Sequence, residues 1–318
     1  MSERTPLVTI GASAGGIEAV GRLLADLPEE LPAAVLVVLH IAPVRNRLAY
    51  VLGRSSSLPV VEAADGDELQ AGHVYVAAPD HHLLVEDGHV RVIRGPHENG
   101  HRPAIDPLFR SAAEARQGSV VAVVLTGSLA DGAAGSALVS RLGGHVLVQD
   151  PEEAAYPSMP LNAIAVDDPD EILPLDLIPA AIARALTLPA KPVKQADVMD
   201  IDGDGDVAPF ACPSCGGSLW EAPDEPLRFR CRIGHTFGSD GLLVEKSQQL
   251  DRALAEALRA LEERAELSTR MATRLRTRGM ERSASRHDDV IRESQRHALV
   301  IRNVLLHRNV DGGSPDEN

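Results

Sequence analysis

The chain is poor in aromatic residues, which make up 3% of it, with a single tryptophan. Its core must therefore be filled by alanine, valine and leucine, and at 44% hydrophobic residues the supply is adequate. Long apolar runs are missing as well. No stretch approaches the ~18 residues that cross a bilayer, and Leu7–Ile10 is too short for the core of a signal peptide. No membrane insertion is expected. Cations are in deficit, since 31 Lys and Arg against 46 Asp and Glu give a formal net charge of -15. That excludes a nucleic-acid-binding surface spread over the whole protein, and no nucleic acid partner is expected. Cysteine is confined to Cys212, Cys215 and Cys231. Such clustering reads as a metal site in a reducing compartment and not as a disulfide framework, which points to a cytoplasmic protein.

What is there is a regular alternation. Leu7–Ile10 is a short apolar run closed by glycine, and Ile17, Val20, Leu23, Leu24 and Leu27 follow at helical spacing. Ala33–Leu39 is the continuous aliphatic run of a strand buried on both faces, and it ends at His40. Residues 60–62 and 73–77 read as strands, and 83–86 with 89–93 as a hairpin turned by Asp87-Gly88. A helix over 106–116 comes next, then a second wholly apolar strand over 119–125. A helix over 133–142, a strand over 145–149 and a helix over 177–186 complete the pattern. The expectation is an α/β domain over residues 1–188, with a doubly wound, mostly parallel sheet.

The composition then changes. Residues 189–208 read as an acidic linker. Their run Asp200–Asp206 opens like a calcium-binding loop, but Ala211 stands where that loop needs glutamate. Residues 209–238 form a small cysteine module. Residues 239–310 read as a helical hairpin or coiled-coil segment, with Leu250, Leu254, Ala257, Leu261, Met271 and Leu275 on one face and Gly279 as the break. The polar residues 311–318 read as a disordered tail.

Three apolar strands each end in a residue of hydrolytic chemistry. Ser13 lies in the turn Gly11-Ala12-Ser13-Ala14-Gly15-Gly16, His40 ends the second strand, and Asp131 follows Thr126-Gly127-Ser128-Leu129-Ala130. Ligands of an open parallel sheet bind beyond the carboxyl ends of its strands, so these three can meet although they are far apart in sequence. A serine hydroxyl is a poor nucleophile until a base takes its proton. His40 would be that base, and Asp131 would fix its tautomer. The free N–H groups of Ala14 and Gly15, where the next helix starts, offer an oxyanion site. Gly11-x-Ser13-x-Gly15 also fits the nucleophile elbow of α/β-hydrolases, although there the aspartate precedes the histidine. A dinucleotide-binding fingerprint is the competing reading of the turn. It wants a carboxylate at the end of the second strand, where His40 stands. His73, His81, His82 and His101 are rival bases.

In the cysteine module, Cys212-Pro213-Ser214-Cys215 is a Cys-x2-Cys knuckle, and Cys231 and His235 supply two further ligands. Three thiolates and an imidazole make a closed tetrahedral site for a structural Zn2+. A module this small needs a metal to fold. Arg270, Arg274, Arg276, Arg278, Arg282 and Arg286 could bind an acidic partner through the C-terminal helices, and a solvated coiled-coil surface is the plainer reading.

Ile10–Gly16, Val37–His40 with Pro43, and Leu125–Gly132 resemble the three motifs of the chemotaxis protein-glutamate methylesterases, the CheB catalytic domain. His101–Asp106 with Leu108, Phe109 and Arg110 resembles a further segment of that family, and the resemblance covers about residues 5–188. It implies a Ser13, His40, Asp131 triad that works without a cofactor. It also implies hydrolysis of glutamate γ-methyl esters on methylated chemoreceptors, with release of methanol, and deamidation of receptor glutamines. The alternative is a non-catalytic, esterase-like scaffold that binds a signalling partner. Two departures stand out. Ser128 and Leu129 replace a Met-Gly pair, which puts substrate contacts near Ser128 in doubt. The typical member also carries a phosphorylatable receiver domain before the esterase. A nucleophile at position 13 is read as leaving no room for one, so control would fall to a partner or to the C-terminal region. Some stand-alone methylesterase-like proteins look similar in the cysteine module and helical tail.

Overall fold

The computed structural model describes residues 5–40, 47–193, 206–222, 228–232 and 235–311. Pro43, most of the acidic linker and the tail beyond residue 311 lie outside the described residues. The chain folds as two units, Met1–Leu242 and Leu243–Asn318.

The first unit begins with β1 (Leu7–Ala12), α1 (Gly16–Ala25), β2 (Ala34–Leu39), α2 (Leu48–Gly53), β3 (Val60–Glu62) and β4 (Val74–Val76). The hairpin β5 (His82–Glu86) and β6 (His89–Ile93) leads to α3 (Ile105–Arg116), β7 (Val120–Val124) and α4 (Ala133–Arg141). Then come β8 (His145–Gln149), α5 (Ser158–Val166), β9 (Glu171–Leu173) and α6 (Ile178–Ala185). Seven strands form one sheet in the order β3-β4-β2-β1-β7-β8-β9, and all neighbours run parallel.

The sheet is buried on both faces because the central strands are apolar at every position except Thr9 of β1, which is itself buried. Val8, Ile10 and Ala12 of β1, Val35, Val37 and Leu39 of β2, and Val121 and Val123 of β7 point to one face, where α1, α2 and α6 pack. Ala34, Leu36 and Val38, with Val120, Ala122 and Val124, point to the other, under α3, α4 and α5. Successive side chains of a strand alternate between faces, so a strand with no polar face must be covered twice. The chain leaves β1 for β2 on one side and returns to β7 on the other. This reversal opens a crevice at the carboxyl ends of three adjacent strands.

Three elements go beyond the sequence expectation. In α5, apolar residues surround the helix and Pro160 sits in its first turn, where proline is tolerated, so no single apolar stripe marks it. The elements α2 and β9 are one or two turns and three residues long, too short for a periodic signal.

Four antiparallel strands follow: β10 (Asp206–Ala211), β11 (Ser218–Ala222), β12 (Arg228–Cys231) and β13 (Thr236–Gly238). Residues 206–208, read above as the end of the linker, are thus the first residues of a strand. Two long helices complete the chain, α7 (Ser239–Thr277) and α8 (Glu281–Asp311), with Gly279 at φ 71° in the break between them. Ion pairs Arg302–Glu262, Arg264–Glu293 and Arg276–Asp288 set the two helices antiparallel. The buried seam of α7 differs from expectation. It runs through Ala265, Ser268 and Ala272, while Met271 is 44% exposed. A step of three, then four residues keeps one face toward α8, and Met271 lies one position off that face. No helix among the described residues is long and apolar enough to cross a membrane.

Candidate active site

Ser13 follows β1 directly. Its N–H donates to the carbonyl of Thr126 at 3.0 Å, and its own carbonyl accepts the Gly16 N–H at 2.9 Å. These bonds pin the turn between the end of β7 and the start of α1. Gly15 caps α1 at φ 73°, a left-handed conformation that glycine adopts without steric cost. Gly127 is required for another reason. A Cβ there would stand 2.1 Å from Met159 Sδ and 2.9 Å from Ser13 Cβ. His40 follows β2, its N–H held by the carbonyl of Ala12 at 3.3 Å. Asp131 lies in the loop after β7, just before Gly132 caps α4.

These strand ends bring the three side chains into hydrogen-bond reach. His40 Nδ1 lies 3.0 Å from Ser13 Oγ, and His40 Nε2 lies 2.7 Å from Asp131 Oδ2. Asp131 accepts three more bonds, from the Ile105 N–H at 2.6 Å, the Asp106 N–H at 3.1 Å and Asn99 Nδ2 at 2.9 Å. Burial alone would push its pKa up. The bond and charge of His40 and the Ile105 N–H outweigh burial and hold it well below the usual carboxylate range. An ionised Asp131 accepts a hydrogen bond from the Nε2–H of His40, which leaves Nδ1 free to accept from the serine hydroxyl.

Of the rival bases, only His101 reaches the relay. Its ring stacks on His40 with centroids 3.6 Å apart and planes 12° from parallel. Burial, then the neighbouring His40, pushes its pKa down to about 4. It is therefore neutral near pH 7 and sets no charge against a protonated His40. His82 is spent on the Pro96 carbonyl and the Ala104 N–H, while His73 and His81 bond to nearby carbonyls.

Sequence reasoning missed the groups behind the triad. Asp106 Oδ1 accepts the N–H groups of Gly132 at 3.1 Å and Gly135 at 2.7 Å, which ties the loop carrying Asp131 to α3. Burial and the adjacent Asp131 raise its pKa to about 6. Thr126 Oγ1 donates to the carbonyl of Ala14 and accepts the Tyr156 N–H. Asn99 joins Asp106 to Asp131. Its signal was the dipeptide Asn99-Gly100, a two-residue turn whose positive φ values of 50° and 78° suit those residues.

In the zinc-ribbon-like module of β10–β13, hereafter the ribbon, Cys212 and Cys215 lie in a knuckle. The Cys212 carbonyl accepts the Gly216 N–H at 2.8 Å, and the Cys212 N–H donates to Gly217 at 2.7 Å. Cys231 ends β12 and donates its N–H to the His235 carbonyl at 3.0 Å. The ligand atoms of Cys212, Cys215, Cys231 and His235 lie within 4.8 Å of one another. Cys215 Sγ is 3.6 Å from Cys231 Sγ, and His235 Nδ1 is 3.3 Å from Cys231 Sγ and 3.7 Å from Cys212 Sγ. Zinc bonded tetrahedrally to sulfur at about 2.3 Å and nitrogen at about 2.0 Å holds its ligands roughly 3.5–3.8 Å apart, so the cluster fits that ion.

Residues 8–182 match the family described as CheB methylesterase. A "Protein-glutamate methylesterase/protein-glutamine glutaminase" of Trichodesmium erythraeum is 38% identical over 185 residues, covering 57% of this chain and 53% of the relative. A second such protein, of Anaeromyxobacter dehalogenans, is 40% identical over 185 residues, covering 58% of this chain and 54% of the relative. The chain spans about half the length of the curated relatives it matches. The crystal structure of the Thermotoga maritima CheB methylesterase catalytic domain superposes with a TM-score of 0.54 at 35% identity, over 56% of this chain and 97% of that one.

Proposed function

Because the chain belongs to the CheB methylesterase family, we propose that it is a protein-glutamate methylesterase working through Ser13, His40 and Asp131. The substrate is a methylated chemoreceptor or another signalling protein carrying glutamate γ-methyl esters. The observation that carries the reading is the unbroken relay from Ser13 Oγ to His40 Nδ1 at 3.0 Å and from His40 Nε2 to Asp131 at 2.7 Å. A scaffold that only bound a partner would have no use for it.

The chemistry follows from the geometry. Ser13 Oγ attacks the ester carbonyl as Nδ1 takes its proton. The carbonyl oxygen gains charge as the C–O π bond opens, and the N–H groups of Ala14 and Gly15 receive it. The intermediate collapses, the methoxy group takes the proton from His40, and methanol leaves. Water then attacks the acyl-serine, with His40 again as the base, and releases the free carboxylate. A glutamine side chain enters the same cycle with ammonia as the leaving group. Asp131 stays ionised throughout and steadies the imidazolium.

The four ligands of the ribbon leave no open position, so a Zn2+ held there is structural and takes no part in the cycle. Methanol release from a γ-methylated receptor tests the reading. Ser13→Ala is expected to lower kcat by about 10^4-fold or more with the fold intact. Undiminished release from that variant would overturn it.

A further inference from the structure

We propose that Asn99 is a positioning residue for Asp131 and that the ribbon strand β13 holds Asn99 in place for that task. The proposal rests on the serine-hydrolase reading above.

The tight turn of Glu98, Asn99, Gly100 and His101 is closed by the Glu98 N–H on the His101 carbonyl and the His101 N–H on the Glu98 carbonyl. From it the Asn99 amide reaches the triad. Its Nδ2 donates to Asp131 Oδ1 at 2.9 Å and to Asp106 Oδ2 at 3.0 Å. One NH2 group thus lies between two buried carboxylates and offers each a proton. With Oδ1 of Asp131 occupied in this way, Oδ2 is the atom presented to His40.

An amide has two ends, and only one suits this place. Turned over, Asn99 would aim its oxygen at both carboxylates. The ribbon prevents that, because the Gly238 N–H donates to Asn99 Oδ1 at 3.0 Å. The backbone is tied at the same point, by the Asn99 N–H on the Thr236 carbonyl at 2.7 Å. Arg110 braces the turn through both carboxylate oxygens of Glu98, at 2.9 and 2.8 Å.

Thr236 is the first residue of β13 and follows His235, one of the four clustered ligands. A continuous line therefore runs from the Cys3His cluster through β13 and the Asn99 amide to Asp131, His40 and Ser13. The ribbon lies beyond the matched residues 8–182, so this line adds a support to the acid from outside the shared domain.

The test uses the full chain with its metal, p-nitrophenyl acetate as a small ester that needs no docking surface, and circular dichroism to verify folding. Asn99→Ala is expected to lower kcat on the order of 10- to 100-fold, the value of a hydrogen bond to a charged group, with KM changed less than about twofold. Cys215→Ser should lower kcat comparably in the unaltered chain and change it little in the Asn99→Ala background, since both act on one link. A folded Asn99→Ala chain with unchanged kcat would overturn the proposal, as would losses that simply multiply in the double variant. The proton shared by His40 Nε2 and Asp131 supplies a readout apart from activity. Asn99→Ala should shift or broaden its downfield resonance, and an unmoved resonance counts against the proposal. If Ser13→Ala hydrolyses the ester at the full rate, the hydrolase reading fails, and the resonance still decides whether Asn99 positions Asp131.

Discussion

The sheet and the ribbon fix their functional side chains by opposite means. In the sheet, β2, β1 and β7 lie side by side and are apolar on both faces, so Ser13, His40 and Asp131 leave from backbone that packing has already immobilised. The ribbon has six residues in a buried cluster that Leu242 of α7 completes, and two of the six are Cys212 and Cys231. So small a core cannot order four strands by burial, and ligand chemistry has to supply the rest. Geometry in the sheet is inherited from hydrophobic burial. In the ribbon it rests on four ligand atoms within 4.8 Å of one another, placed to hold an ion.

Chelation should separate the two regions most visibly. Hydrogen exchange after chelation is expected to show residues 206–238 losing protection while β1, β2 and β7 keep theirs, since structural zinc contributes about 10 kcal/mol or more to such modules. Protection that persists in the ribbon would mean its core suffices. Next in size is Asp131→Asn. It should cost about 10^4-fold in kcat, because a neutral amide neither sets the tautomer of His40 nor steadies its charge. A loss below tenfold would separate the aspartate from catalysis.

Acid comes third. The fold keeps His101 neutral down to about pH 4, against an ordinary value of 6.5. Between those values the unfolded chain binds the extra proton, so stability falls as the pH drops from 6.5 toward 4, by up to about 3 kcal/mol. His101→Phe should flatten this limb in urea melts at pH 7 and pH 5. His82 and His97, also held low by burial, retain part of the slope. The smallest effect belongs to the helical hairpin. Arg302→Ala removes an exposed pair with Glu262 and should change its melting by less than about 1 kcal/mol. A larger loss would show that surface charge, and not the Ala265, Ser268 and Ala272 seam, holds the helices together.

Much of this was legible in the sequence where one physical signal acts alone. The aliphatic runs Leu7–Ile10, Ala33–Leu39 and 119–125 mark strands of a buried sheet, and the turns that follow them carry the three residues of the relay. Four ligands at Cys-x2-Cys and Cys-x3-His spacing likewise point to one site. What stayed hidden depends on contacts across long separations. Asn99 meets Gly238 across 139 positions, and no local pattern encodes that bond. Asp106 stands in the sequence as a helix start and the end of a family-like segment with no role of its own, yet its carboxylate ties the loop of Asp131 to α3. Met271 is the large apolar residue of its turn, yet the buried positions of α7 along the seam with α8 are the small residues Ala265, Ser268 and Ala272.

A serine activated at the end of β1 should react with an electrophilic phosphonate. A fluorophosphonate probe, followed by peptide mass spectrometry on the full chain, tests it most directly. The expected adduct is on Ser13 and forms far more slowly in His40→Ala. An adduct at another residue, or labelling of Ser13 at the same rate without His40, would contradict it.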